Sequence, residues 1–356
     1  MDKKIMILGI NGYIGNALRK HMEGKFEVVG CDNNTRSLLV GLIGGKSLTP
    51  MDLGDYTVLD VTDYLSLSNY IEQENPDVII HLAEQPSAPY SMKGPEESSF
   101  TQHNNIIGSL NVLWAIKEIN PKIHLIKIGT AGEYPDWLYP PYIKIPEESR
   151  TVVQKDGKDW VIPTPRYGGS FYHMSKLHDS FNCDYANRIW GLDITDLNQA
   201  PLYGHVEGNR FDYDEHFGTV VNRFVVQALI GHPLTVYGEG NQTRGYIHLK
   251  NAMEAIELVI KNRPKGYQTI HQLTETKTVN EIAELVKKHT GCKIKKIENP
   301  RAENGRNEFD FEMKKLKEWG LETIKMEDSI EELIKQIKPH IGNVIKEVIN
   351  PKTKWK

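Results

Sequence analysis

Short apolar runs and amphipathic stretches alternate through the first half of the chain. The runs Lys4–Leu8, Phe26–Cys31, Thr57–Leu59, Val78–Leu82 and His124–Ile128 have the length of strands. Most lack polar alternation, as strands covered by helices on both faces must. Between the last two, Asn104–Ile119 places Ile107, Leu110, Leu113 and Trp114 at helical spacing. A helix over Asn16–Met22 follows the first run, and the helix Ser170–Trp190 and strand Asp193–Asn198 continue the alternation. Such a rhythm predicts right-handed crossovers and a Rossmann-type, doubly wound α/β fold. The stretch from Pro135 to Gly169 breaks it. Rich in Pro, Tyr and Trp and too long for an ordinary connector, it predicts a lid or binding loop. Beyond Pro201 the alternation loosens into a smaller mixed α/β lobe. The basic tail Asn350–Lys356 reads as a solvated end, in which Trp355 is out of place.

Composition narrows the partners. The 356 residues are 39% hydrophobic and 25% charged, with a net charge of −4. No basic run before the tail offers a nucleic-acid or membrane surface. No stretch approaches the roughly 20 apolar residues of a membrane span, and the apolar start is too short for a signal peptide. Cys31, Cys183 and Cys292 are odd in number, widely spaced and without a CxxC pattern. They predict reduced thiols in a cytoplasmic enzyme and no metal site.

Gly9-Ile10-Asn11-Gly12-Tyr13-Ile14-Gly15 stands directly after the first strand and opens a helix. Glycines let the backbone turn sharply against a pyrophosphate, and the helix N-terminus offers unpaired N–H groups. Asp32 ends the second strand about 20 residues on, the usual spacing for a carboxylate that holds the adenosine ribose. It favours NAD over NADP, although Arg36, near Asn33, is a residue type able to hold a 2′-phosphate. Asp60-Val61 follows the third strand, where Asp60 either meets the adenine or caps the helix before Tyr64. Leu82, Ala83 and Glu84 end the fourth strand beside the expected cofactor. Residues 1–200 therefore read as the NAD-binding domain and 201–356 mainly as a substrate lobe, with elements from 220–270 free to return to the first.

Tyr172 and Lys176 are four residues apart on a predicted helix and share a face. An ammonium beside a phenol lowers its pKa from about 10 toward a useful base, and the same Lys176 can hold the nicotinamide ribose. Thr130, just past the fifth strand, can orient the reacting hydroxyl. Together they predict proton removal from a sugar hydroxyl while NAD oxidises the carbon.

Longer blocks carry a resemblance. Gln85-Pro86-Ser87-Ala88-Pro89-Tyr90-Ser91-Met92, Thr101-Gln102-His103-Asn104-Asn105, Ser170-Phe171-Tyr172-His173-Met174-Ser175-Lys176 and Gly231-His232-Pro233-Leu234-Thr235-Val236-Tyr237-Gly238 resemble the UDP-sulfoquinovose synthases, as do Thr195–Gln199, Asp212–Asp214, Gln242–Tyr246 and Asn299–Arg301. The similarity runs over almost the whole chain. It implies UDP-glucose and sulfite as substrates and a tightly held NAD that is regenerated in each turnover. Oxidation at C4, loss of the C6 hydroxyl, sulfite addition at C6 and reduction at C4 make up the implied cycle, formally grouped with hydrolases of carbon–sulfur bonds. The resemblance places Asn105 beside the cofactor and His173 near the sulfite or C6 group. Glu133 is a candidate at C5 or C6, or a plain loop carboxylate. Arg244 and Arg301 are the candidates for the diphosphate, with Val236 and Tyr237 beside the uracil and Gln85, Asn198, Gln199 and Thr219 lining the cleft. Departures from the family stand at Pro86, where it has Arg, at Ala131, where it has Met, and at Ala200-Pro201. A UDP-glucose 4-epimerase would share Thr130, Tyr172, Lys176 and NAD, and a non-catalytic NAD sensor would need only the fold. Superfamily analogy implies a homodimer built from the helices Asn104–Ile119 and Ser170–Trp190.

Overall fold

A computed structural model describes residues 3–42, 44–134, 144–148, 150–301, 311–350 and 352–355. The chain runs through β1 (Lys4–Leu8), α1 (Tyr13–Met22), β2 (Glu27–Asp32), α2 (Thr35–Leu42), β3 (Thr57–Val58), α3 (Tyr64–Glu74) and β4 (Val78–His81). The short α4 (Ala88–Ser91), then α5 (Pro95–Gln102) and α6 (Gly108–Ile119), lead to β5 (His124–Thr130). An antiparallel hairpin follows, β6 (Arg150–Lys155) with β7 (Lys158–Pro163), before α7 (Phe171–Trp190) and β8 (Ile194–Gln199). The second part holds β9 (Leu202–Tyr203), α8 (Val220–Leu229), β10 (Leu234–Tyr237), β11 (Thr243–His248), α9 (Leu249–Asn262), β12 (Tyr267–Gln272), β13 (Glu275–Thr278), α10 (Val279–Thr290), β14 (Ile294–Ile297), α11 (Lys315–Glu318) and α12 (Met326–Ile337).

Seven parallel strands form the central sheet, in the order β12-β8-β5-β4-β1-β2-β3. Successive side chains point to opposite faces of a strand. Ile5 and Ile7 therefore pack with α1 and α9, through Leu18, Ile256 and Val259. Met6 and Leu8 pack on the other face with Leu67, Ile71 and Val112 of α3 and α6. Each fully buried aliphatic side chain of this kind contributes about 2 kcal/mol. The sheet is the doubly wound fold that the alternation implied.

Two expectations shift. The helix expected over Asn104–Ile119 begins in a π-helical turn, His103–Ile107, between α5 and α6. Wide turns of this kind recur at functional sites, and here the turn aims Asn105 at Gln85, whose N–H it accepts at 2.8 Å and whose carbonyl it meets at 3.1 Å. The return from residues 220–270 is divided. The α9 helix and β12 join the first core, whereas Phe224, Val225 and Leu234 build a separate core with Ile282 of α10 and Ile330 of α12. Of the expected lid, residues 135–143 and 149 lie outside the described residues, and the hairpin β6–β7 presents most of its length to solvent.

Candidate active site

A cleft of about 720 Å³ opens at the carboxyl ends of β1, β2, β4, β5 and β8 and is closed by the second lobe. This is where open α/β sheets bind ligands. At its adenosine end the backbone turns at Gly9, whose φ of +87° suits glycine and whose missing Cβ would lie 2.7 Å from the Leu82–Ala83 backbone. Gly12 caps α1 without any side-chain hydrogen bond, so the first-turn N–H groups face the cleft beside Tyr13, Ile14 and Gly15. Asp32 accepts Asn11 N–H at 2.9 Å and Asn34 N–H at 2.7 Å, which leaves lone pairs for ribose hydroxyls. Burial holds its carboxyl above the ordinary value. This bare turn, open helix end and braced acid fit a dinucleotide. Asn11 and Asp60 stand behind the lining: Asn11 steadies Asp32 and Asn34, while Asp60 accepts Asn33 Nδ2 at 2.9 Å. The helix cap before Tyr64 is Asp63 and not Asp60. Val61, Leu82, Ala83 and Glu84 line the wall.

The reacting end holds Thr130, Tyr172 and His173. Thr130 is the last residue of β5, where its hydroxyl accepts Gly132 N–H at 3.1 Å. Ser170 caps α7 and binds His173 Nδ1 at 2.9 Å. The imidazole packs so close to Gly132 that a Cβ there would stand 2.3 Å from its Cδ2. The expected lowering of the phenol does not occur. Lys176 is buried below Tyr172 and forms its ion pair with Glu84, with Asp179 at 3.8 Å. Burial, followed by the Glu84 charge, pushes the Tyr172 phenol up instead. His81, behind Glu84 at 3.7 Å, is pushed down to about 4 by burial and is neutral.

Glu133 is turned away from the cleft. Fully buried, it pairs with Arg166 at 2.9 Å and lies 4.0 Å from Lys127, which also meets Asp196 at 3.4 Å. Four charges of alternating sign therefore satisfy one another, and the Glu133 carboxylate is committed to that network. Its backbone carbonyl accepts Tyr167 N–H at 3.0 Å, which ties the β5 end to the approach of α7. Asn105 likewise lies behind the lining, bonding Gln85 and Ser175 Oγ.

At the substrate end Gln85, Gln199, Thr219, Tyr237, Arg244 and Arg301 line the cleft, whereas Asn198 and Val236 are buried behind it. Sequence reasoning missed Arg223. Its NH1 donates to the Tyr237 hydroxyl at 2.7 Å, and its guanidinium stands 4.7 Å from that ring. The signal was available: a lone cation within the apolar helix Val-Val-Asn-Arg-Phe-Val-Val. Trp355 is not a loose end. Its N–H donates to the Pro300 carbonyl at 3.0 Å and its ring faces the Arg301 guanidinium at 5.5 Å, within the cleft wall. Pro86, Ala131, Ala200 and Pro201, the departures from the family pattern, line the same cleft. Among the described residues no group of His, Cys, Asp and Glu could hold a metal ion, and no helix is long and apolar enough to cross a membrane.

Comparison with known proteins gives the family and the fold. Residues 5–271 match the NAD dependent epimerase/dehydratase family. The chain is 38% identical to the chloroplastic UDP-sulfoquinovose synthase of Spinacia oleracea, over 99% of this chain and 79% of that protein. It is 36% identical to the UDP-sulfoquinovose synthase of Sulfolobus acidocaldarius, over 99% and 98%. Among solved structures, a Thermotoga maritima UDP-glucose 4-epimerase with UDP-glucose superposes with a TM-score of 0.75 at 21% identity, covering 94% of this chain and 99% of that one. A Bacillus anthracis dTDP-glucose 4,6-dehydratase in complex with NAD gives 0.72 at 18% identity, covering 95% and 97%. At those identities the structures speak for the fold.

Proposed function

The chain belongs to the UDP-sulfoquinovose synthases within the NAD dependent epimerase/dehydratase family, and we propose that it converts UDP-glucose and sulfite to UDP-sulfoquinovose and water. The observation that carries the reading is the meeting of Thr130, Tyr172 and His173 between a glycine-turn dinucleotide cradle and an arginine-lined end of one cleft. NAD, when bound, supplies a reversible two-electron oxidation at the sugar C4 carbon. Asp32 and the α1 N-terminus would hold it, and Lys176 would reach the nicotinamide ribose.

The chain's own residues have separable tasks. Tyr172 takes the C4 hydroxyl proton and returns it at the end. Thr130, anchored at its strand end, orients that hydroxyl. The ketone formed at C4 acidifies the C5 hydrogen, so the C6 hydroxyl can leave as water. Sulfite then adds at C6, and a carbon–oxygen bond has been exchanged for a carbon–sulfur bond. His173, bonded to Ser170 in the cleft wall, would serve the leaving C6 hydroxyl and the incoming sulfite, the role that the family resemblance implies. Arg244 and Arg301 pair with the diphosphate, and Arg223 holds Tyr237 for the base.

Pro86 in the cleft wall favours keeping a second reading. A 4-epimerase would use the same C4 chemistry and no sulfite. Mass spectrometry of the product from UDP-glucose, NAD and sulfite separates the two. A sulfonated sugar nucleotide supports the synthase, and UDP-galactose formed without sulfite overturns it.

We further read the enzyme as a cytoplasmic homodimer that keeps its cofactor through the cycle. Phe171, Met174, Phe181, Tyr185 and Ile189 recur at helical spacing on α7 and stay exposed, an apolar stripe suited to a second copy.

A further inference from the structure

We propose that Asp212, a residue of the second lobe, sets the preference for NAD over NADP by withholding Arg36 from a 2′-phosphate. The inference rests on the NAD reading above and concerns how the site selects its dinucleotide.

Arg36 lines the adenosine end of the cleft with Asp32 and Asn33. A guanidinium in that position is the ordinary handle for a 2′-phosphate. Here it is engaged elsewhere. Its NH2 donates to Asp212 Oδ2 at 2.7 Å, across 176 residues of sequence. The guanidinium lies 3.8 Å from the centroid of the Phe217 ring, which stacks in turn on Tyr90 at 5.8 Å. Its Nε has no partner among the described residues.

Asp212 cannot follow Arg36 toward a ligand. The carboxylate is 4% exposed and is gripped on both oxygens by Arg210, with Nε to Oδ2 and NH2 to Oδ1 each at 3.0 Å. Pulling Arg36 away would forfeit a charge-assisted hydrogen bond in a dry interior and its seat on the Phe217 ring. A 2′-phosphate therefore meets two obstacles. The first is the Asp32 carboxylate, which repels it. The second is an arginine held away from it by the hydrogen bond to Asp212. Because both act on one phosphate, their removal is non-additive.

The test is equilibrium binding of NAD and NADP to the purified chain, followed by calorimetry, in Asp32→Ser, Asp212→Asn and the double variant. Each single change should raise NADP affinity by roughly threefold or less. The double change should raise it roughly thirtyfold or more, as expected when repulsion is lifted and one charge-assisted phosphate contact is gained. Asp32→Ser reaching the affinity of the double variant would overturn the proposal. Should Asp212→Asn fail to fold, Asp32→Ser is compared with Asp32→Ser/Arg36→Met. Equal NADP affinity shows that Arg36 is locked, and weaker binding in the Met variant shows that it already holds the phosphate, which overturns the lock. If the unaltered chain binds neither dinucleotide, the cofactor assignment fails first and the selectivity argument falls with it.

Discussion

Lys176 is ion-paired with Glu84, and not with the Tyr172 phenol four residues earlier on α7. Both members are nearly excluded from water, with side chains 1% and 8% exposed. A lysine charge neutralised at this range does little for a phenolate, and the Glu84 charge opposes one. Glu84→Gln should therefore shift phenolate formation at Tyr172 toward lower pH, measured by ultraviolet difference titration against Tyr172→Phe. The rising limb of the pH–rate profile should move in the same direction. An unmoved titration would show that the ion pair does not govern the base.

Removing the phenol itself separates an enzyme from a cofactor sensor. Tyr172→Phe should lower turnover by roughly 10²- to 10⁴-fold, the worth of one general acid–base group. NAD binding, read by calorimetry, should persist. Turnover that survives the change would remove Tyr172 from the chemistry.

The arginines predict a different kinetic signature. Arg301→Ala or Arg244→Ala should raise KM for UDP-glucose roughly tenfold or more, the loss of one charge-assisted contact to phosphate. The value of kcat should change less. A fall confined to kcat would place these residues at the reacting end instead.

Asp214 makes stability pH-dependent. Burial and the neighbouring Asp212 charge raise its carboxyl from 3.8 to about 6. The folded state thus favours the protonated acid, and its contribution is complete below 3.8 and lost as pH rises through about 6. Its Oδ1 accepts the N–H groups of His216 and Phe217, each at 2.9 Å, a role that Asn can keep. Asp214→Asn should flatten the decline of Tm between those pH values, followed by thermal melts. An unchanged slope would assign the decline to other groups.

The stripe on α7 predicts assembly. Phe181→Glu with Tyr185→Glu, at side chains 46% and 54% exposed, should convert a dimer to a monomer in analytical ultracentrifugation without unfolding it. A monomer before the change removes the dimer reading.

Much of the site was legible because its chemistry is local. Gly9 to Gly15, Asp32, Thr130 and the Tyr172–Lys176 spacing are short-range patterns set by strand ends and helix pitch, and the structure gathers Gly9, Asp32, Thr130 and Tyr172 at one cleft. Glu133 stayed open between a reacting carboxylate and a loop one because adjacency to Thr130 says nothing of direction. Turning inward gave it Arg166 and Lys127, and a buried carboxylate goes where cations can satisfy it. Arg223 was overlooked because one cation in an apolar helix acquires meaning only when Tyr237 stands opposite.

Period and punctuation along the chain determined the parallel sheet, the glycine turn and the helix that carries Tyr172, since each depends on residues a few positions apart. Tertiary structure alone decided the pairing of Lys176 with Glu84, of Arg36 with Asp212, and of Trp355 with the Arg301 end of the cleft. These partners are brought together by packing two lobes and a tail around one cavity. Which charges neutralise which follows from that burial, and no spacing in the sequence encodes it.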